Sequence, residues 1–426
     1  MTAALLILFV ITYAAIALEE PLKVNKAAAA LLGAGLLWTV YALSQGSPDV
    51  VESELAHSLT HTAEIAFFLM GAMTIVEVID THDGFTIITD RIRAKKLVPL
   101  MWLVSAVTFF LSAILDNLTT TIVMITLLRK LVVTRENRLF LAGMVVIAAN
   151  AGGAWSPMGD VTTTMLWIGG QVTAVAIVTK LILPSLVCAL VPLAIASVML
   201  RGRPMTAPPR DEGSASQFKP LERNLIFALG LGVLLAVPAF KSITHLPPYL
   251  GILFGLGILW AVADLLHRGK DMQVKQRMAI AYALTRIDMS AIIFFVGILL
   301  AVATLEHSHI LTAFATWLDV SIGRLDVIVT LFGLLSAIVD NVPMVAAAMG
   351  MYSLDTHPPD SFLWEYMAYC AGTGGSILII GSAAGVAAMS IERIEFFWYL
   401  KRFGPLAMAG YLAGAAVYNV QSAALG

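Results

Sequence analysis

The chain has 426 residues, 59% of them hydrophobic and only 13% charged, about half the charge density of an ordinary soluble domain. A net charge of -2 offers no basic surface to a nucleic acid, and the two cysteines, Cys188 and Cys370, both in apolar segments, make neither a disulfide framework nor a metal cluster. They are expected to be buried free thiols, and lipid is expected to be the solvent.

A membrane span needs about 20 apolar residues. The first stretch, Thr2 to Leu18, lacks a basic n-region and is followed by Glu19 and Glu20, which predicts a retained span rather than a cleaved leader. Further apolar segments follow at 27–44, 63–79, 97–133, 138–171 and 174–200. The intervening 44–62 is acidic and carries His57 and His61, which predicts a solvated loop. A second set of six lies at 224–240, 249–266, 289–305, 325–353, 363–390 and 402–424. Between the sets, the polar, Pro- and Ser-containing 201–223 reads as a connector. Prolines and glycines inside the apolar runs predict broken helices, which a membrane tolerates where neighbouring protein satisfies the freed backbone.

The two sets resemble each other. FFLSAILDN (109–117) matches LFGLLSAIVDN (331–341), with Asp116 and Asp340 lying 224 residues apart. NAGGAWSPMGD (150–160) aligns with GTGGSILIIGS (372–382), and GLLW ending at Trp38 with GILW ending at Trp260, both at a spacing of 222. Matches in one order, at spacings of 222 to 224, predict an internal duplication. Charge gives the orientation, because cytoplasmic loops collect Lys and Arg. With both termini outside, and with 97–133 and 325–353 leaving on the side they entered, the cytoplasmic loops hold 23 of the 26 basic residues. In that topology the halves are inverted. The expected fold is therefore an all-α polytopic membrane protein with two inverted repeats, each with a re-entrant hairpin and a broken transmembrane helix. The expected organisation is a first repeat over 1–200, a cytoplasmic connector over 201–223 and a second repeat over 224–426.

Inverted repeats with matched breaks are where secondary transporters bind their cargo. The first half offers Asp116, Asn117, Thr119, Thr120, Thr121, Asn150, Ser156, Asp160 and Thr162; the second offers Asp340, Asn341, Thr373, Ser376 and Ser382. These oxygens suit a hard cation such as sodium, expected at Asp116, Asn117, Asp160, Asp340 and Asn341. No basic residue is expected beside the tips. Desolvation favours the protonated carboxyl and an approaching cation the ionised one, so sodium and protons would compete for one site.

LDNLTTTIVMITLLRKL (115–131), NAGGAWSPMGDVTTTMLWIGGQ (150–171), VDNVPMVAAAMGMY (339–352) and GTGGSILIIGSAAGVAAMS (372–390) resemble the signature segments of NhaD-type sodium/proton antiporters of the ion transporter superfamily. The similarity extends over essentially the whole chain. It implies a scaffold domain, a mobile transport domain with two re-entrant hairpins, and a homodimer in the cell inner (cytoplasmic) membrane. It further implies export of sodium or lithium in exchange for protons, with no cofactor and no enzymatic activity. It directs attention to Asp116, Asn117, Asn150, Asp160, Thr162, Asn341, Ser376 and Ser382.

The plainer readings are structural. Asp116, Asp160 and Asp340 could be helix N-caps, Asn117 and Asn341 turn residues, and the threonines hydroxyls bonded to the carbonyl four residues back. Two other functions fit parts of the pattern. A sodium-coupled anion or dicarboxylate carrier of the same superfamily would need a basic or small-residue pocket at the tips. An intramembrane aspartyl hydrolase would use two aspartates as an acid/base pair, but the context SPMGD around Asp160 does not suit it.

Overall fold

The computed structural model describes residues 2–45, 47–89, 92, 96–203, 219–268 and 279–425. The expected connector thus lies outside the described residues over 204–218, as do the basic residues Arg91, Arg93 and Lys95 and those of 269–278. Helices and no strands occur among the described residues. The first group is α1 (Thr2–Ala17), α2 (Glu19–Leu22), α3 (Lys26–Ser44), α4 (Pro48–Thr81), α5 (Thr86–Thr89), α6 (Leu97–Leu115), α7 (Asn117–Leu131), α8 (Arg135–Gly153), α9 (Val161–Ile168) and α10 (Ala174–Met199). The second is α11 (Pro220–Thr244), α12 (Pro248–Leu266), α13 (Ile280–Leu284), α14 (Met289–His307), α15 (Ile310–Ile322), α16 (Leu325–Ser336), α17 (Asn341–Met351), α18 (Phe362–Gly374), α19 (Ala383–Glu392), α20 (Phe396–Arg402) and α21 (Gly404–Leu425). Seven of these, α3, α4, α6, α10, α11, α12 and α14, are long and apolar enough to cross a membrane, and the protein is a multi-pass membrane protein.

Two elements differ from the sequence reading. The supposed loop 44–62 is largely helical, because α4 starts at Pro48 and runs unbroken through His57 and His61. Pro48 fits the first helical position, Asp49 favours the N-terminal turn, and no helix breaker follows before Gly71. Polarity alone misread a helix whose Val51, Ser58 and Thr62 are buried. The second difference is α15, a 13-residue helix between two expected spans and shorter than the about 20 residues that a crossing needs. Cys188 and Cys370 are both buried and free, as expected.

Packing is reciprocal between the halves. α3 lies on α14 and α4 on α12; α1 packs on α3 and α11 on α12; α6 packs on α8 and α16 on α18. α7 packs on α19 and α17 on α9, while α10 and α21 lie against each other. The reciprocity reaches single atoms. Ser112 Oγ donates to the Ala149 carbonyl (2.6 Å), and Ser336 Oγ, 224 residues on, lies 3.3 Å from the Ala371 carbonyl, 222 residues on, while also donating to the Gly333 carbonyl (2.8 Å). Gly152 rests on the Phe109 carbonyl and Gly374 on the Gly333 carbonyl, where any Cβ would fall on the oxygen. Glycine is required there for backbone approach.

Loops at one end of the helices are tied by ion pairs: Arg129 and Arg138 to Glu392 (2.7 and 2.8 Å), Arg203 to Glu136 (2.8 Å), and Arg286 to Glu77 (2.9 Å). At the other end Asp360 accepts from Thr173 N and Oγ1 (2.6 and 2.9 Å), and Lys241 Nζ donates to the Trp167 carbonyl (2.6 Å). The Glu392 carboxylate, 1% exposed, joins α7 and α8 to the end of α19. Glu392→Ala leaves two guanidinium groups without their counter-charge. Because Arg129 is half exposed, the expected loss is about 2–3 kcal/mol, at or below the low end for a broken buried pair. Thermal unfolding of the detergent-purified protein measures it, and an unchanged midpoint contradicts it.

Candidate functional site

Four breaks meet in the middle of the protein. α6, α8, α16 and α18 end there, and α7, α9, α17 and α19 begin there. Each starting helix is capped by the side chain just before it. Asp116 accepts from Thr119 N (2.7 Å), Asp160 from Thr162 N (2.9 Å), Asp340 from Val342 N (3.4 Å) and Ser382 from Gly385 N (3.2 Å). The caps satisfy the free donors of the starting helices, while the ending helices present carbonyls whose partial negative charge favours a cation. Both hairpin aspartates take positive backbone angles, φ 126° at Asp116 and 50° at Asp340. That conformation costs a residue other than glycine on the order of 1–3 kcal/mol, and such strain gathers at functional sites. A cap alone does not require it.

Asp160 is the hub and is 2% exposed. Its Oδ1 also accepts from Thr162 Oγ1 (2.8 Å), and its Oδ2 accepts from Asn117 Nδ2 (2.6 Å). Asn341 Nδ2 reaches both oxygens at 3.3 Å. Asn117 Nδ2 also donates to Asn150 Oδ1 (3.0 Å), and Asn150 Nδ2 donates to Ser376 Oγ (2.9 Å) and Ser382 Oγ (2.8 Å). One connected network therefore joins both hairpin tips and both breaks. Its only charged member is an acceptor, and three amides steer it.

The network opens on a cavity of about 450 Å³ walled by α3, α4, α14 and the hairpin tips. Five carboxylates line it among the described residues, those of Glu19, Asp116, Asp160, Asp288 and Asp340. Against them stands one ammonium, Lys26, whose Nζ lies 3.2 Å from Asp340 Oδ2. The expectation of no basic residue at the tips is therefore wrong. Lys26 belongs to a loop in sequence, yet as the first residue of α3 its long side chain reaches inward. Only the pairing of α3 with α14 and α17 with α14 brings it there.

Of the residues proposed from the sequence, Asn117, Asn150, Asp160, Thr162, Asn341, Ser376 and Ser382 fall in the network. Asp116 and Asp340 face the cavity, with Thr119 Oγ1 donating to Asp116 (2.8 Å). Thr120 Oγ1 is buried without a partner, as is Thr121 Oγ1. Ser156 Oγ instead donates to the Ala113 carbonyl, and Thr373 Oγ1 to the Tyr369 carbonyl four residues back (2.6 Å); the structure does not bring these two hydroxyls into the network.

A family model described as a citrate transporter matches residues 7–372. Sodium/proton antiporter 1 of Arabidopsis thaliana is 49% identical over 415 residues, covering 97% of this chain and 72% of the relative. Sodium/proton antiporter 2 of the same plant is 47% identical, covering 97% and 98%. The Na(+)/H(+) antiporter NhaD of Alkalimonas amylolytica is 32% identical over 451 residues, covering 96% and 89%.

Proposed function

Since this chain belongs to the citrate-transporter family, and within it to the NhaD-type sodium/proton antiporters, we propose that it exchanges sodium or lithium for protons across the cytoplasmic membrane by alternating access, as a homodimer. The observation that carries this reading is the charge of the cavity, five carboxylates to one ammonium. Such a wall attracts a small cation and repels a carboxylate substrate, so the citrate of the family's description is disfavoured here. Lys26 would be the anchor for a dicarboxylate, but Asp340 already engages it.

In this reading the cation enters the cavity, loses water to oxygens at Asp116, Asn117, Asp160 and Asn341, and displaces protons from the two carboxylates. Protons returning from the other side release it. One site serving both ions in turn suffices for exchange, with no covalent chemistry and no cofactor. The reciprocal packing supports two inverted repeats, 1–200 and 224–426 joined by 201–223. The end ties of Arg129 and Arg138 to Glu392, and of Thr173 to Asp360, support hairpins that re-enter from opposite sides.

The test is a pH gradient across everted vesicles, followed by a pH-sensitive dye while salts are added. Sodium or lithium alone is expected to collapse the gradient, and potassium to leave it. A gradient that responds only when a di- or tricarboxylate is present rejects antiport in favour of anion symport.

A further inference from the structure

We propose that Lys26 is a tethered counter-ion that withdraws Asp340 from ion exchange and leaves Asp116 and Asp160 to carry it. The inference deepens the antiport reading and rests on it. Lys26 Nζ sits 3.2 Å from Asp340 Oδ2 and 4.6 Å from the centre of the Phe294 ring on α14. Its backbone N–H donates to Glu19 Oε1 (3.1 Å), which fixes the start of α3. The ring and the carboxylate hold the ammonium from two sides.

The duplication shows what is special about this pair. Residue 26 corresponds, at the spacing of 222, to Pro248, the first residue of α12. Asp116, the counterpart of Asp340, accordingly has no lysine partner among the described residues. The two tips match in backbone and differ in charge. Other charged or titratable groups facing the pair are Glu19 of α2, Tyr13 of α1, Asp288 ahead of α14, and the carboxylates of Asp116 and Asp160. All are acids, so among the described residues facing them the Lys26 ammonium is the one positive charge. Being covalently tethered, it holds Asp340 without the entropy loss of binding a free ion.

The experiment uses the vesicle assay on wild type, Lys26→Gln, Lys26→Arg, Asp340→Asn and the double variant Lys26→Gln/Asp340→Asn. Removing the ammonium makes the cavity more negative, so in Lys26→Gln the activity profile is expected to move about one unit toward alkaline pH. Its half-saturating sodium concentration at high pH should fall several-fold. Lys26→Arg keeps the charge and the wild-type profile. Asp340→Asn, with its ammonium unpaired, moves the profile the other way, and the neutral double variant returns it. A Lys26→Gln profile indistinguishable from wild type, or a double variant as inactive as a dead Asp340→Asn, overturns the proposal. Sodium-dependent thermal shifts of the purified variants give the same ordering independently of transport rate, so weak insertion of one variant does not blur the outcome. Failure of wild type itself to respond to sodium rejects the antiport reading instead.

Discussion

Asp160→Asn is expected to bring sodium-dependent exchange down by at least about 100-fold while leaving folded protein in the membrane. The substitution is nearly isosteric but reverses the hydrogen-bond logic of the site. Asp160 accepts from Asn117, Asn341 and both donors of Thr162. An amide there turns an NH2 toward another NH2 and removes the only charge in the network. Hydrogen bonds to a charged group contribute about 1.5–3 kcal/mol each, and losing the equivalent of two accounts for a hundredfold effect. The vesicle assay at saturating sodium measures it, with yield and monodispersity as the control. Exchange at the wild-type rate would reduce Asp160 to a cap. Asp116→Asn should also abolish exchange, but its carboxylate lies outside the amide network, so its effect isolates charge from geometry.

Gly374→Val is the substitution expected to damage the fold most, by about 3 kcal/mol or more, because no rotamer can relieve a clash between two backbones. The added Cβ would land on the Gly333 carbonyl where α16 crosses α18. Relief requires the second hairpin to lift off the helix that carries its break, which also moves Asp340 and Asn341. Gly257 on α12 is the comparison, since a Cβ there meets nothing within 4 Å. Gly257→Ala is expected to be neutral or to stabilise by up to about 1 kcal/mol. Thermal unfolding of the purified proteins separates the two; equal midpoints would show that the crossing has slack.

The hydropathy of the spans and the breaks at Asp116, Gly153–Asp160, Asp340 and Gly375–Ser382 were legible in the sequence. Each is written in local composition, and a bilayer allows few alternatives for an apolar chain. Asn117, Asn341 and Asp160 were legible as chemistry for the same reason: polar side chains at breaks inside apolar runs have few inert uses. The helix over 48–62 was not legible, because its charged residues look like a loop until burial of one face is known.

What only the tertiary structure decided is which of these residues meet. Asn150 bonds Ser376 and Ser382, 226 and 232 residues away, and Lys26 pairs with Asp340 across 314 residues. No local pattern encodes such a meeting, since it depends on how α3 seats on α14 and how the four breaks cross. Ser156 and Thr373 carry the same chemistry as their neighbours in the network, yet their hydroxyls bond backbone carbonyls instead. The sequence by itself determined the membrane architecture and an acid-rich centre. The crossing of the helices decided that Asp160 is its hub and that Asp340, alone of the two matched tips, has a lysine as its partner.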